Sequence, residues 1–252
     1  MDTERIWTAG LAVVGDEILS GRTQDRNIAQ VARWLNLQGI RLAEARVVCD
    51  DVDIIAEAVA ELSERYDYLF TTGGIGPTHD DVTVDGVAKA KNVGVIIHPD
   101  ARAILERYYE KRGGLTEARL RMARTPDGAE LIENRVSGAP GIRFGNIFLL
   151  AGVPHITALM LEGLSGKLEG GAPLVSRTVG CWVPESEIAD LLAVTEKAHD
   201  GCQIGSYPFF REGRVGANFV VRGTDASAVE LCLADLTRRL KAAGFHCVKD
   251  GI

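Results

Sequence analysis

Short apolar runs alternate with helical periodicities through the first hundred residues, and no other feature restricts the fold of this chain as strongly. "IWTAGLAVVG" (6–15) reads as a buried strand. "NIAQVARWLNLQG" (27–39) then sets Ile28, Val31, Leu35 and Leu37 near helical spacing, with Gly39 as a stop. "IRLAEARVV" (40–48), "DVDIIAEAVAELSERY" (51–66) and "DYLFTT" (67–72) continue as strand, helix, strand. "DDVTVDGVAKAKNVG" (80–94) reads as a helix with an acidic first turn, which suits the helix dipole. Such alternation predicts a doubly wound α/β domain, a mainly parallel sheet covered on both faces.

The middle of the chain reads as helix over "PDARAILERYYEKRG" and "LTEARLRMART". A Gly- and Pro-rich loop, "PDGAELIENRVSGAPGIRFG" (126–145), separates these from the strand "NIFLLAG" and the helix "PHITALMLEGL". "SGKLEGGAP" (165–173) has no periodicity and reads as a linker. Beyond it the order becomes β-α-β-β-α-β, the split ferredoxin-like pattern. We therefore expect a first domain over 1–168 and a small α+β domain over 173–252.

With 252 residues, 46% hydrophobic and 25% charged, the composition is that of a globular protein. A formal charge of −7 without a basic stripe argues against nucleic acid as a partner. No apolar run is long enough to cross a membrane, and the start of the chain has no signal-peptide pattern. Five scattered cysteines without a C-x-x-C pair read as free thiols in a reducing compartment, so a cytoplasmic protein is expected.

Ligands of parallel sheets collect at the carboxyl ends of the strands. Three acidic pairs fall there: Asp16 and Glu17, Asp50 and Asp51, Asp80 and Asp81. Asp50 and Asp51, taken alone, read first as caps of the helix behind them, and Asp25 reads equally as a cap or a ligand contact. The third pair is different, because it follows "TTGGIGPTH". Gly73, Gly74 and Gly76 allow positive φ and a nest of inward amides at a helix N-terminus, suited to phosphate. Carboxylates beside a phosphate site are costly unless a cation lies between them, which points to a divalent metal. Asp81 and Asp50 are the candidate catalytic groups, with Asp81, Asp50, Asp16 and Glu17 as metal ligands. Thr72, Thr78, Ser137, Gly138 and Gly141 are further candidates for phosphate contact, and His79 reads first as a solvated loop residue, with contact to metal or phosphate as the alternative. No G-x-S-x-G, H-E-x-x-H or paired-cysteine motif occurs.

On "GDEILSG" with "DRN", "TTGGIGPTHDDVT", "PDGAELIEN" with "APG", and "AGVP", the chain resembles the MoaB/MogA-type molybdopterin-binding superfamily. Within it the chain resembles the N-terminal region of competence/damage-inducible protein A (CinA), to which "IGSYP" in the second domain also belongs. The resemblance implies hydrolysis of a nucleotide pyrophosphate of the ADP-ribose or FAD class, with a divalent metal (Mg, Co or Ni) and potassium. Its alternatives are binding and adenylylation of molybdopterin, or a nucleotide-binding module without catalysis. A homo-oligomer is expected, with a dimer favoured. Two departures stand out: Ile156 where the family usually carries an acid, and Asn134-Arg135 in place of its Asn-Pro. No counterpart of the nicotinamide-mononucleotide deamidase domain of full CinA proteins is expected.

Overall fold

The computed structural model describes residues 5–134 and 138–252. Contacts divide the chain into two compact units, Met1–Gly171 and Ala172–Ile252. In the first, the elements run β1 (Trp7–Val14), α1 (Asp16–Leu19), α2 (Asn27–Leu37), β2 (Ile40–Val48), α3 (Val52–Arg65), β3 (Tyr68–Thr72), α4 (Thr83–Ala90), β4 (Val95–Ile97) and α5 (Pro99–Tyr109). They continue with α6 (Glu117–Leu120), β5 (Arg124–Pro126), β6 (Glu130–Ile132), β7 (Gly141–Phe144), β8 (Ile147–Leu150) and α7 (Pro154–Glu162).

The main sheet has the order β2-β1-β3-β8-β7-β6. Its first four strands are parallel, and β7 and β6 add an antiparallel edge. The alternation in β1 shows why both faces must be covered. Ala12 and Val14 pack with Ile55, Val59 and Leu62 of α3 and Val84 and Val87 of α4. Ala9, Leu11 and Val13 pack on the other face with Val31 and Leu35 of α2 and Met160 and Leu161 of α7. Two apolar layers on one central strand account for its nearly unbroken hydrophobic sequence.

Three local expectations are corrected. The helix expected from residue 80 begins at Thr83, so Asp80 and Asp81 lie in the loop before it and Asp85 is the acid of its first turn. "LTEARLRMART" forms only α6 and a 3-10 turn at Arg121–Ala123, after which β5 pairs with β4. The expected loop 126–145 contains β6 and β7, whose three or four residues are too few to show a period. The end of the expected linker is held to the first unit: the Gly171 amide donates to the Gly39 carbonyl and the Glu169 amide to the Tyr68 hydroxyl, both at about 3 Å.

The second unit consists of β9 (Val175–Cys181), α8 (Ala189–Lys197), β10 (Gln203–Arg211), β11 (Arg214–Gly223), α9 (Ala226–Ala242) and β12 (Cys247–Lys249). Its antiparallel sheet has the order β10-β11-β9-β12, so the first and last strands of the β-α-β-β-α-β chain are neighbours. Val179, Phe219 and Val221 meet Val229, Cys232, Leu236 and Leu240 of α9 in its core. Among the described residues, no helix is long and apolar enough to cross a membrane.

Asp235 ties α9 to the turn that follows α8. It accepts from Arg239 Nε at 2.9 Å and from Arg238, and its second partner segment is represented by His199 Nε2 at 3.3 Å. The Arg239 guanidinium foremost, then Arg238 and His199, hold its carboxyl down at about 2 against the opposing effect of burial. A depressed folded-state value means that this stabilisation is complete above the ordinary value of 3.8 and is lost as pH falls to about 2. Asp235→Asn is expected to lower stability at neutral pH by about 1 kcal/mol. It should also flatten the pH dependence within that acid window, as read by urea denaturation at a series of pH values.

Candidate functional site

The loops after β1, β2, β3 and β8 meet at the carboxyl edge of the parallel strands, around a pocket of about 570 Å³. Gly15 and Glu17 come from the first loop, Asp50 from the second, residues 73–78 with Asp80 and Asp81 from the third and residues 151–154 from the fourth. Tyr109, Met122, Ile156 and Met160 add an apolar wall.

The loop after β3 owes its shape to close backbone approaches. Gly73 has φ +95°, and a Cβ there would stand 2.2 Å from the Val14 carbonyl oxygen of the neighbouring strand. Gly74 has φ +67°, and its Cβ would meet the Thr83 hydroxyl at 2.0 Å. That hydroxyl instead donates to the Gly73 carbonyl at 2.9 Å, and the Thr83 amide donates to the Gly74 carbonyl at 3.0 Å. The start of α4 is thereby fastened beneath the turn.

Asp81 closes the same loop. Its Oδ1 accepts from the Gly76 amide and its Oδ2 from the Thr78 amide, each at 2.7 Å, and the Thr78 hydroxyl also donates to Oδ2. The Gly73 amide is taken by the Leu150 carbonyl at 3.1 Å. Of the three glycines expected to hold phosphate, only Gly74 keeps an amide without a protein partner among the described residues; the Ile75 amide is the second. Gly73 and Gly76 thus shape the nest, while Gly74 and Ile75 supply its donors. The geometry gives Asp81 the work of holding the loop, and the other side of the pocket carries the less committed acids.

There Asp50 accepts from the Asp16 amide at 2.8 Å. Burial foremost pushes its carboxyl above the ordinary value; the donated amide opposes this, and the charges of Asp16, Glu17 and Asp80 add to the rise. Asp51 is the helix cap, accepting from the Asp53 and Ile54 amides, and Asp25 accepts from the Ile28 amide at the start of α2. The sequence could not divide these roles, because adjacent aspartates at a strand end look alike until the chain direction is fixed.

Glu17, Asp50, Asp80 and Asp81 all line the pocket, as do Gly73, Gly74, Gly76 and Thr78, whereas Asp16 contributes its amide and its charge from behind Asp50. Thr72 is corrected: its hydroxyl is buried, has no partner among the described residues, and lines a small side cavity with Asn27. Gly141 is also corrected, being a residue of β7 packed against Ile132 and Met160. Gly138, at φ +74°, turns where a Cβ would strike the Tyr108 ring, and Ala139 and Pro140 reach the pocket instead. Ser137 lies outside the described residues. His79 is exposed.

The sequence offers Asn27 only as a polar group of the first loop and does not single out Gly152, Tyr109 or Met122. The Asn27 Nδ2 donates to the Gly152 carbonyl at 2.8 Å and so fixes the loop after β8; "DRN" and "AGVP" gave a signal for that pair. Tyr109 and Met122 gave none, since only the packing of α5 and the following turn brings them to the pocket.

The donor set fits a hard divalent cation such as magnesium, for it offers carboxylate oxygens and no histidine or cysteine. Among the described residues no three acidic, histidine or cysteine side chains are grouped to hold an ion by themselves. One or two carboxylates completed by ligand phosphates is the usual arrangement for magnesium.

Residues 10–169 match the family model described as "Probable molybdopterin binding domain", and residues 173–248 match "FAD synthase, middle domain". A protein of Aeropyrum pernix is 39% identical over 211 residues, covering 79% of this chain and 78% of that relative. A CinA-like protein of Desulfosudis oleivorans is 35% identical over 209 residues, which are 78% of this chain and 51% of that one, so the match spans about half of that relative. The crystal structure of the protein CinA, of unknown function, from Thermoplasma acidophilum superposes with a TM-score of 0.60 at 36% identity, covering 64% of this chain and 99% of that chain.

Two substitutions separate the roles of the acids. Asp81→Ala removes acceptors from two amides and a hydroxyl and is expected to lower stability by about 1–2 kcal/mol, with the loop after β3 losing protection in hydrogen exchange. Asp50→Asn relieves crowding of like charge and should leave the melting temperature unchanged or raise it by roughly 1–3 °C. A fall in melting temperature for Asp50→Asn would show that its carboxylate, like that of Asp81, holds the loops together.

Proposed function

The chain belongs to the molybdopterin-binding domain family, in its CinA-like branch, and from that premise we propose that the strand-end pocket binds a phosphate-bearing pterin or nucleotide and supports chemistry at a phosphoanhydride. One observation carries this reading: the amides of Gly74 and Ile75, without a partner among the described residues, share a pocket with the crowded Asp50 carboxylate and with those of Glu17 and Asp80. Amides in a glycine turn attract phosphate, while the carboxylates repel it unless a cation intervenes. The pocket volume lies in the range of small-molecule sites, and the wall of Tyr109, Met122, Ile156 and Met160 suits a flat ring.

In this reading Gly74 and Ile75 bind and orient a phosphate, Asp81 keeps their loop in shape, and Glu17 together with the bound phosphate holds a divalent cation beside Asp50. A bound divalent cation would neutralise phosphoryl charge and make a nearby water more acidic. Ile156, where the resemblance leads one to expect an acid, adds to the apolar wall and leaves the acids of the β1 and β2 loops as the charged side.

The family match favours a pterin ligand, and adenylylation is the reaction that the resemblance implies for it. Hydrolysis of an ADP-ribose or FAD class pyrophosphate is the second reading. It is favoured by Asp50, whose raised affinity for a proton suits acceptance of one from an attacking water.

Calorimetric titration of the full chain with molybdopterin, ATP, ADP-ribose and FAD, in magnesium and potassium, tests binding, and chromatography of the products tests the reaction. Consumption of ATP only with molybdopterin present would establish the pterin reading, and release of AMP from ADP-ribose or FAD would establish the hydrolytic one. Asp50→Asn is expected to reduce turnover at least a hundredfold in either case, in line with loss of a general base. Failure of the folded wild type to bind any of the four would overturn the assignment of the pocket.

A further inference from the structure

The second unit holds four of the five cysteines, and they meet in pairs. Cys202 and Cys232 touch within the core, where both are buried. Cys181 and Cys247 differ from them. They are direct cross-strand partners of β9 and β12, with sulfurs 3.5 Å apart. Cys181 is wholly buried, while Cys247 is partly exposed and lines a groove of about 590 Å³ between α9 and the β9–β12 edge.

The groove has an apolar floor of Val179, Leu233 and Ala234 and a rim bearing Arg238, Lys241, Lys249 and Glu230. Arg238 is paired with Asp235 and Glu230 with Arg177. Lys241 and Lys249 have no acidic partner among the described residues, so the groove presents two uncommitted cations on a chain of charge −7. Cations around a groove concentrate anions in it.

We propose that Cys247 is a thiol-exchange site for a small anionic disulfide of the glutathione type, with buried Cys181 as the resolving thiol. Cys247, its proton lost to solvent, attacks one sulfur of the small disulfide. That S–S bond breaks, one thiolate departs, and a mixed disulfide remains at Cys247. The Cys181 sulfur then attacks the Cys247 sulfur and gives its proton to the second departing thiolate. Two protein thiols are oxidised to one cystine while the small disulfide is reduced to two thiols.

The order of events follows from burial. Burial foremost, and next the contact with Cys247, push the Cys181 thiol up to about 12, so it is inert toward solvent and reacts only with a sulfur already brought to its side. The bridge ties the three-residue edge strand β12 to β9 and closes a loop between positions 66 apart, which restricts the unfolded chain. This inference is independent of the pocket in the first unit.

The test incubates the reduced full chain with glutathione disulfide, quenches with acid, and reads intact mass and peptide maps over time. The wild type should pass through a Cys247 adduct and end about 2 Da lighter, with a Cys181–Cys247 bridge. Cys181→Ala should stop at the adduct, and Cys247→Ala should form neither product. Lys241→Glu combined with Lys249→Glu should slow the first step about tenfold with glutathione disulfide and leave the rate with neutral hydroxyethyl disulfide unchanged. A bridge mapped to Cys202–Cys232, an adduct that persists in the wild type, or no reaction at Cys247 would overturn the proposal. Should Cys181→Ala fail to fold, the wild-type time course decides alone, since a bridge with no preceding adduct contradicts the mechanism.

Discussion

The candidate site depends on one constraint, the close approach of the loop after β3 to the strands beside it. Gly73 lies against the Val14 carbonyl, and a Cβ built on Gly152 would be 3.2 Å from the Gly73 Cα, so three loops touch through backbone alone. Side chains at these glycines would force the strand ends apart. Asp81 and Thr83 then fasten the turn from opposite ends, one through the amides of Gly76 and Thr78, the other through the carbonyls of Gly73 and Gly74. Among the described residues, the Gly74 and Ile75 amides of this loop are left without a protein acceptor.

The two sides of this pocket contribute unequally to stability. On the Asp81 side the carboxylate is satisfied by donors, so it stabilises the loop. On the Asp50 side, carboxylates crowd one another with a single donated amide between Asp16 and Asp50. Like charge around the Asp50 carboxyl opposes its ionisation in the folded chain, so this side contributes less to stability than the Asp81 side. Asp85, although nearby in sequence, is outside this tension because Arg124 pairs with it across α4 and β5.

The second unit solves a different problem with similar means. Its sheet has a helical layer over Val179, Phe219 and Val221, and the short β12 leaves part of the β9 edge bordered by a groove. Buried Cys181 and accessible Cys247 are made neighbours by strand pairing, across 66 positions of sequence. No spacing rule for cysteines brings them together, which is why they read as scattered.

The sequence by itself determined the alternating α/β order, the β-α-β-β-α-β pattern of the second unit, and the concentration of Asp50, Asp81 and the glycine turn at strand ends. These follow from local periodicity and from the conformational freedom of glycine, both properties of neighbouring residues. Only the tertiary structure decided the rest. It placed β6 and β7 in the sheet although they are too short to show a period, and it separated Asp51 the cap from Asp50 the crowded acid. It showed that the amides of Gly73 and Gly76 are taken by Leu150 and Asp81, and that those of Gly74 and Ile75 have no partner among the described residues. A backbone amide has one hydrogen to give, and which acceptor takes it depends on strands and loops remote in the chain.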